Sequence, residues 1–340
     1  MKLSRMFVLF ALVALVACQS RYMTSGKVYM QQSNWEKAQE QFELETQHNP
    51  QNGEAYGYLA QAYYELREFG KAGESFERAR DAVDAPKKLE QIKLAQHGFA
   101  GEHVKRGNAL FQNEKFAEAA EEYAIATQIE PGFIDAHKNR AIALLRAGDE
   151  DESEQEWKAV LELSQRGDEN WVQAHDVFAK LAMQDSAYAE ALAHTDSILT
   201  VKQADVELLS FKAGLLDAMG REQEALDIYR QILAIDPENV DAWFNLGVIY
   251  SKLGMIEEAE DAFVHVVQMV PDDKEAQYNM GVMALNLKRW DMARNAFQKV
   301  TELDPENGQA WQNLAICLLN LGDTDGAKAA YEKATTLGVQ

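Results

Sequence analysis

The chain has 340 residues, enough for two or three globular domains or for one extended repeat array. Its 55 Asp and Glu against 33 Lys and Arg give a net charge of −22. That balance excludes nucleic-acid binding through a general electrostatic footprint and opposes contact with anionic lipid.

Residues 1–17 read as a leader. Lys2 and Arg5 form a short positive region, and Met6 to Ala14 is apolar and uncharged. This run is too short to span a bilayer and has the layout of a secretory signal. It ends Leu15-Val16-Ala17-Cys18, which resembles a bacterial lipobox. The resemblance implies lipidation at Cys18, and Gln19 after it implies the periplasmic face of the outer membrane rather than the inner membrane. Two or more acyl chains anchor stably where one does not. With Cys18 modified, no disulfide can form within the chain. Cys317, in the apolar run AICLLN, reads as core rather than nucleophile.

From Gln19 onward the chain keeps a period of 34 residues. Residues 18–86 hold two repeats, with small residues Gly26 and Ala60 in one slot and Phe42 and Phe76 in another. Residues 87–99 break the period. Pro86 suits a helix start, and Leu89, Ile92, Ala95 and Phe99 recur at helical spacing. This predicts an extra helical segment and a joint, with Gly98 and Gly101 as places for a kink. Residues 100–167 hold repeats three and four, residues 168–171 are a short slip, and residues 172–340 hold repeats five to nine. Gly148, Gly220, Gly254 and Gly322 fall where helix A of a repeat should stop, supplying a left-handed cap. Five of the six prolines close a B helix.

Trp243, Leu246, Gly247, Tyr250, Ala259, Phe263 and Pro271 fit W-x2-L-G-x2-Y…A-x3-F…P. On these residues the chain is identified as a member of the tetratricopeptide repeat family, built of 34-residue helix–turn–helix units. The fold implied is all-α, a right-handed superhelical solenoid of about nine repeats. With its leader, the chain resembles envelope tetratricopeptide lipoproteins such as assembly factors for type IV pili or secretins. A docking subunit that regulates a peptidoglycan synthase or a periplasmic protease is the alternative.

Motifs for phosphate binding, nucleophilic catalysis and zinc are missing from the sequence, so no enzyme, cofactor, metal or small-molecule substrate is expected. His103, His137 and His175 share the slot of Trp243 and read as packing residues. One constellation remains. Asn245, Asn279 and Asn313 sit in successive repeats, with Lys252, Asn286 and Asn320 further along the same helix face. The family resemblance places this face in a concave groove. A carboxamide offers a donor and an acceptor to a peptide unit, so the expected partner is an extended segment of an envelope protein. Lys138, Asn139 and Arg146 form a more basic version in the fourth repeat, suited to a carboxylate.

Overall fold

The computed structural model describes residues 20–339, so the leader and Cys18 lie outside the described residues. Eighteen helices follow one another, with no strand among the described residues. They fall into two compact units, divided between Gln165 and Arg166.

The first unit holds α1 (Arg21–Gln31), α2 (Trp35–His48), α3 (Gly53–Glu65), α4 (Phe69–Asp81), α5 (Pro86–Gln112), α6 (Phe116–Ile129), α7 (Ile134–Ala147) and α8 (Glu150–Leu163). The second holds α9 (Glu169–Gln184), α10 (Tyr188–Leu199), α11 (Val206–Ala218), α12 (Glu222–Ile235), α13 (Val240–Lys252), α14 (Ile256–Met269), α15 (Lys274–Asn286), α16 (Trp290–Leu303), α17 (Gly308–Asn320) and α18 (Thr324–Thr336). Odd-numbered helices are the A helices and even-numbered ones the B helices. The residues of the 168–171 slip cap and begin α9, where the Asp168 side chain accepts from Trp171 N–H.

Each A–B pair closes on the small slot of its A helix. A Cβ on Gly26 would lie 2.6 Å from the ring of Phe42, and one on Gly107 would lie 2.6 Å from the ring of Tyr123. Gly247 and Gly281 meet Phe263 and Phe297 in the same way, each at 2.9 Å. The ring sits against bare backbone, which brings the two helix axes close. The B-helix Ala slot is equally tight: Ala38, Ala72, Ala119, Ala191, Ala225, Ala259 and Ala293 are fully buried. Ser153 fills that slot in the fourth repeat, and its hydroxyl donates to the Ala141 carbonyl at 2.8 Å.

The turn from A to B has one geometry throughout. Gly148, Gly220, Gly254 and Gly322 have φ between 68° and 94°, as their spacing predicts. The same slot in the other repeats is held by Ser33, Arg67, Glu114, Ser186 and Lys288, with φ between 54° and 63°. A left-handed residue with a Cβ is strained by about 1–2 kcal/mol, so packing on both sides holds these five turns in place. A helices mostly begin on a side-chain cap: Asn52, Asp205, Asn239, Asp273 and Asn307 each accept from a first-turn N–H.

The first unit departs from regular stacking at α5. This helix runs unbroken for 27 residues, through Gly98 and Gly101. Its first half comes from residues 87–99 and packs on the same core as α3 and α4 through Ile92, Ala95 and Phe99. The C-terminal end of α6 thereby comes against α4. Gly73 makes this approach possible, since a Cβ there would lie 2.1 Å from the Gln128 carbonyl oxygen. Gln96, buried within α5, donates to the Ile129 carbonyl at 2.8 Å and to Glu77 at 3.0 Å, tying α4, α5 and α6 together.

Candidate functional site

The asparagine face belongs to the second unit, on α13, α15 and α17. Helical geometry sets Asp241, Asn245, Val248 and Lys252 in one line. The next two helices repeat it as Glu275, Asn279, Val282 and Asn286, then Gln309, Asn313, Ile316 and Asn320. The middle of each line is half-buried and its ends are exposed, apart from Ile316, which is 41% exposed. Phe244 and Tyr278 lie beside the asparagines, edge-on to Phe263 and Phe297 at centroid distances of 5.6 and 5.7 Å. The strip therefore alternates carboxamide with apolar surface.

The six residues of this strip are not equally available. The side chains of Asn245 and Asn279 have no hydrogen-bond partner among the described residues. Asn313 donates to the Tyr278 hydroxyl at 3.3 Å, a weak bond that links neighbouring repeats. Asn320 folds back on the Ile316 carbonyl at 2.8 Å, and Asn286 is exposed. Lys252 reaches both carboxylate oxygens of Asp217 on α11, at 2.7 and 2.8 Å, so its charge is compensated within the fold.

The basic version of the face is in the first unit. Lys138 pairs with Asp135 at 3.2 Å, and Asn139 is half-buried. Arg146 is exposed in the last turn of α7, where a cation complements the helix dipole. The larger electrostatic feature there is Arg140, which the sequence reading passed over. It joins Glu156, and it meets Glu152 at 3.1 Å. The signal was present in the sequence, since Glu152 and Glu156 are one turn apart on α8.

The histidine slot has a defined chemistry. In four repeats its polar hydrogen is tied to the carbonyl of the proline six residues earlier: Trp243 to Pro237, Gln277 to Pro271, Trp311 to Pro305 and His137 to Pro131, at 2.9–3.0 Å. The other ring nitrogen of His137 lies 2.6 Å from Glu156. Both neighbours are acceptors, so His137 holds both protons. Burial opposes its charge, yet the bonds to Glu156 and Pro131 prevail and raise its pKa above 6.5. His103, fully buried against Tyr64 and Phe69, is shifted down by that burial despite Glu122 at 2.7 Å. His175 and His194 face each other with Nδ1 atoms 2.8 Å apart, and burial lowers both.

The signs therefore differ. The contribution of His137 to stability is fully present below about pH 6.5 and is lost as pH rises through its folded pKa. Those of His103, His175 and His194 are present above that pH and are lost on acidification through their lowered values. Side-chain NMR titration should show His137 titrating last as pH rises and the other three while the solution is still more acidic. A His137 midpoint below that of free histidine would contradict the imidazolium assignment.

Cys317 is fully buried, and burial pushes its thiol up to about 11, so at neutral pH it is not a thiolate. Among the described residues, no group of three or more His, Cys, Asp or Glu is arranged to hold a metal ion. No helix among them is long and apolar enough to cross a membrane.

Charge is unevenly spread over the helices, and the most acidic ones are B helices. On the B side α8 carries six carboxylates against Lys158, and α14 carries four with no Lys or Arg. On the A side α13, α15 and α17 are balanced, and α5 carries five cations against Glu90 and Glu102.

A tetratricopeptide repeat family model matches residues 23–85 and 104–167, and a second one matches residues 206–239. The model of the cytochrome c-type biogenesis protein H TPR domain matches residues 223–338. No curated protein matches the chain. Similar solved structures include a MamA protein, 17% identical over 49% of this chain and 91% of that one, with a TM-score of 0.46. MamA residues 41 to the end from Desulfovibrio magneticus RS-1 is 22% identical over 51% of this chain and 97% of that one, with a TM-score of 0.46. YrrB, described as a TPR protein with an unusual peptide-binding site, is 22% identical over 53% of this chain and 91% of that one, with a TM-score of 0.47. With its repeats matched in both units and its helices paired at the family's own slots, the chain is a tetratricopeptide repeat protein.

Proposed function

We propose that this protein is a non-catalytic scaffold that grips an extended segment of a partner along the A-helix face of α13, α15 and α17. The observation that carries this reading is the pair of unengaged carboxamides, Asn245 and Asn279, in register with Asn313 and separated by Val248, Val282 and Ile316. Packed helices lie roughly 8–10 Å apart and an extended chain rises about 3.3 Å per residue, so each repeat meets two or three residues of the segment. The cytochrome c-type biogenesis protein H TPR domain model spans all three asparagines, which supports a role in assembling other proteins.

A photo-crosslinking residue at Ile316 should capture the partner and identify its segment. Changing Asn245, Asn279 and Asn313 together to Ala should then weaken binding of that segment about tenfold or more, at roughly 0.5–1.5 kcal/mol per lost hydrogen bond. Unchanged affinity would refute the grip. So would an unfolded triple variant, which would make the asparagines structural.

The scaffold is further proposed to be lipid-anchored at Cys18 in the bacterial envelope, at the periplasmic face of the outer membrane, where it would serve pilus or secretion-machinery assembly. The lipobox-like run Leu15 to Cys18 supports the anchor. Cys18→Ser should move the protein from the membrane fraction to the soluble periplasm. Mass spectrometry finding Cys18 unmodified in the native protein would overturn the anchor and leave the groove untouched.

A further inference from the structure

The lengthened α5 gives the first unit a cleft of its own. Its first half runs beside α3 and in the same direction. Lys88, Gln91 and Ile92 stand opposite Gly53, Gly57 and Tyr58, and seven residues beyond Ile92 and Gly57 Phe99 packs on Tyr64, with ring centroids 4.2 Å apart. Between the two helices lies a cavity of about 40 Å³. The two glycines of α3 leave the space, and Val83 and Ile92 give it apolar wall. A Cβ on Gly57 would meet no atom within 4 Å, so the space is real and open. At about 10–15 Å³ per water-sized position, the cavity admits roughly three non-hydrogen atoms. That is the size of a valine side chain.

The mouth is positively charged. Its carboxylate, Glu54, is neutralised by Lys27 at 2.8 Å, whose ammonium also lies 4.9 Å from the centre of the Tyr58 ring. Lys88 is exposed at the rim, and among the described residues neither it nor the neighbouring Lys87 or Lys93 forms an ion pair. In a chain of net charge −22, a half-helix with three lysines against the single carboxylate of Glu90 stands out from its surroundings. Leu94, on the same half-helix, is 65% exposed.

We propose that this cleft is a second binding site, for an acidic segment of a partner protein that seats one small apolar side chain in the cavity and sets a carboxylate on Lys88. The site lies wholly within the first unit and does not depend on the asparagine face.

The test uses the full chain and a fluorescein-labelled Glu-Glu-Val-Glu-Glu peptide, read by fluorescence anisotropy at low salt. Saturable binding is expected. It should weaken at least tenfold in Lys88→Glu and at least tenfold when serine replaces the peptide's valine. Gly57→Leu fills the cavity from within and should block binding. Its thermal midpoint should be unchanged or higher, because leucine is the better helix former and meets open space. The triple asparagine variant should bind this peptide normally. Equal binding of the serine peptide, or full binding by Gly57→Leu, would overturn the proposal. So would a stronger interaction with phosphatidylglycerol vesicles that Lys88→Glu removes and Gly57→Leu leaves intact, since that pattern marks a lipid-facing basic patch.

Discussion

Replacing Gly73 with valine should break the junction between the second and third repeats. The new Cβ would lie 2.1 Å from the Gln128 carbonyl oxygen and 3.1 Å from that of Ile129. Both are backbone atoms at the end of α6, so no side-chain rotation relieves the clash and the helices must separate. Overpacking of this kind costs about 1–3 kcal/mol and sometimes more. In a repeat protein the loss falls on a nearest-neighbour interface, so cooperativity suffers as well as midpoint. Urea unfolding followed by hydrogen exchange should show α1 to α4 opening before α6 and α7. Gly73→Ala should do the same to a smaller degree. A valine variant with the native midpoint and a single transition would show that α4 and α6 can part without loss.

Phe263→Ala should cost about 3–5 kcal/mol, the usual range for emptying a buried aromatic site. The ring is 1% exposed and fills the space over Gly247. Tyr331 occupies the same slot in the ninth repeat but is 53% exposed, so Tyr331→Ala should cost far less. Denaturant midpoints of the two variants measure the comparison directly. Equal losses would mean that the slot, rather than burial, sets the energy.

Most of the fold was legible because a 34-residue period constrains every slot at once. A single degenerate repeat, such as that of α9 and α10, is then carried by its neighbours. The left-handed turn was read only where glycine marks it. Ser33, Arg67, Glu114, Ser186 and Lys288 adopt the same φ with no local preference for it, because tertiary packing overrides propensity at those turns. The packing of α4 on α6 was hidden, since residues 87–99 reveal a helix but not the direction in which it displaces its neighbours. For the candidate face, periodicity was enough to align Asn245, Asn279 and Asn313. It could not show that Lys252 is held by Asp217, 35 residues earlier in the chain. That bond depends on how the A helices are spaced within the second unit, which no single repeat encodes.

The uneven spread of charge over the helices bears on how a partner arrives. Within each unit the acidic B helices repel an approaching polyanion, with a reach of about 8 Å at physiological ionic strength. The A helices α13, α15 and α17, balanced in charge, and α5, which is basic, offer no such barrier. An acidic partner, such as the one proposed for the cleft of the first unit, would thereby be turned A-side first before any contact forms. Added salt should flatten this preference and change the rate of association more than the rate of release.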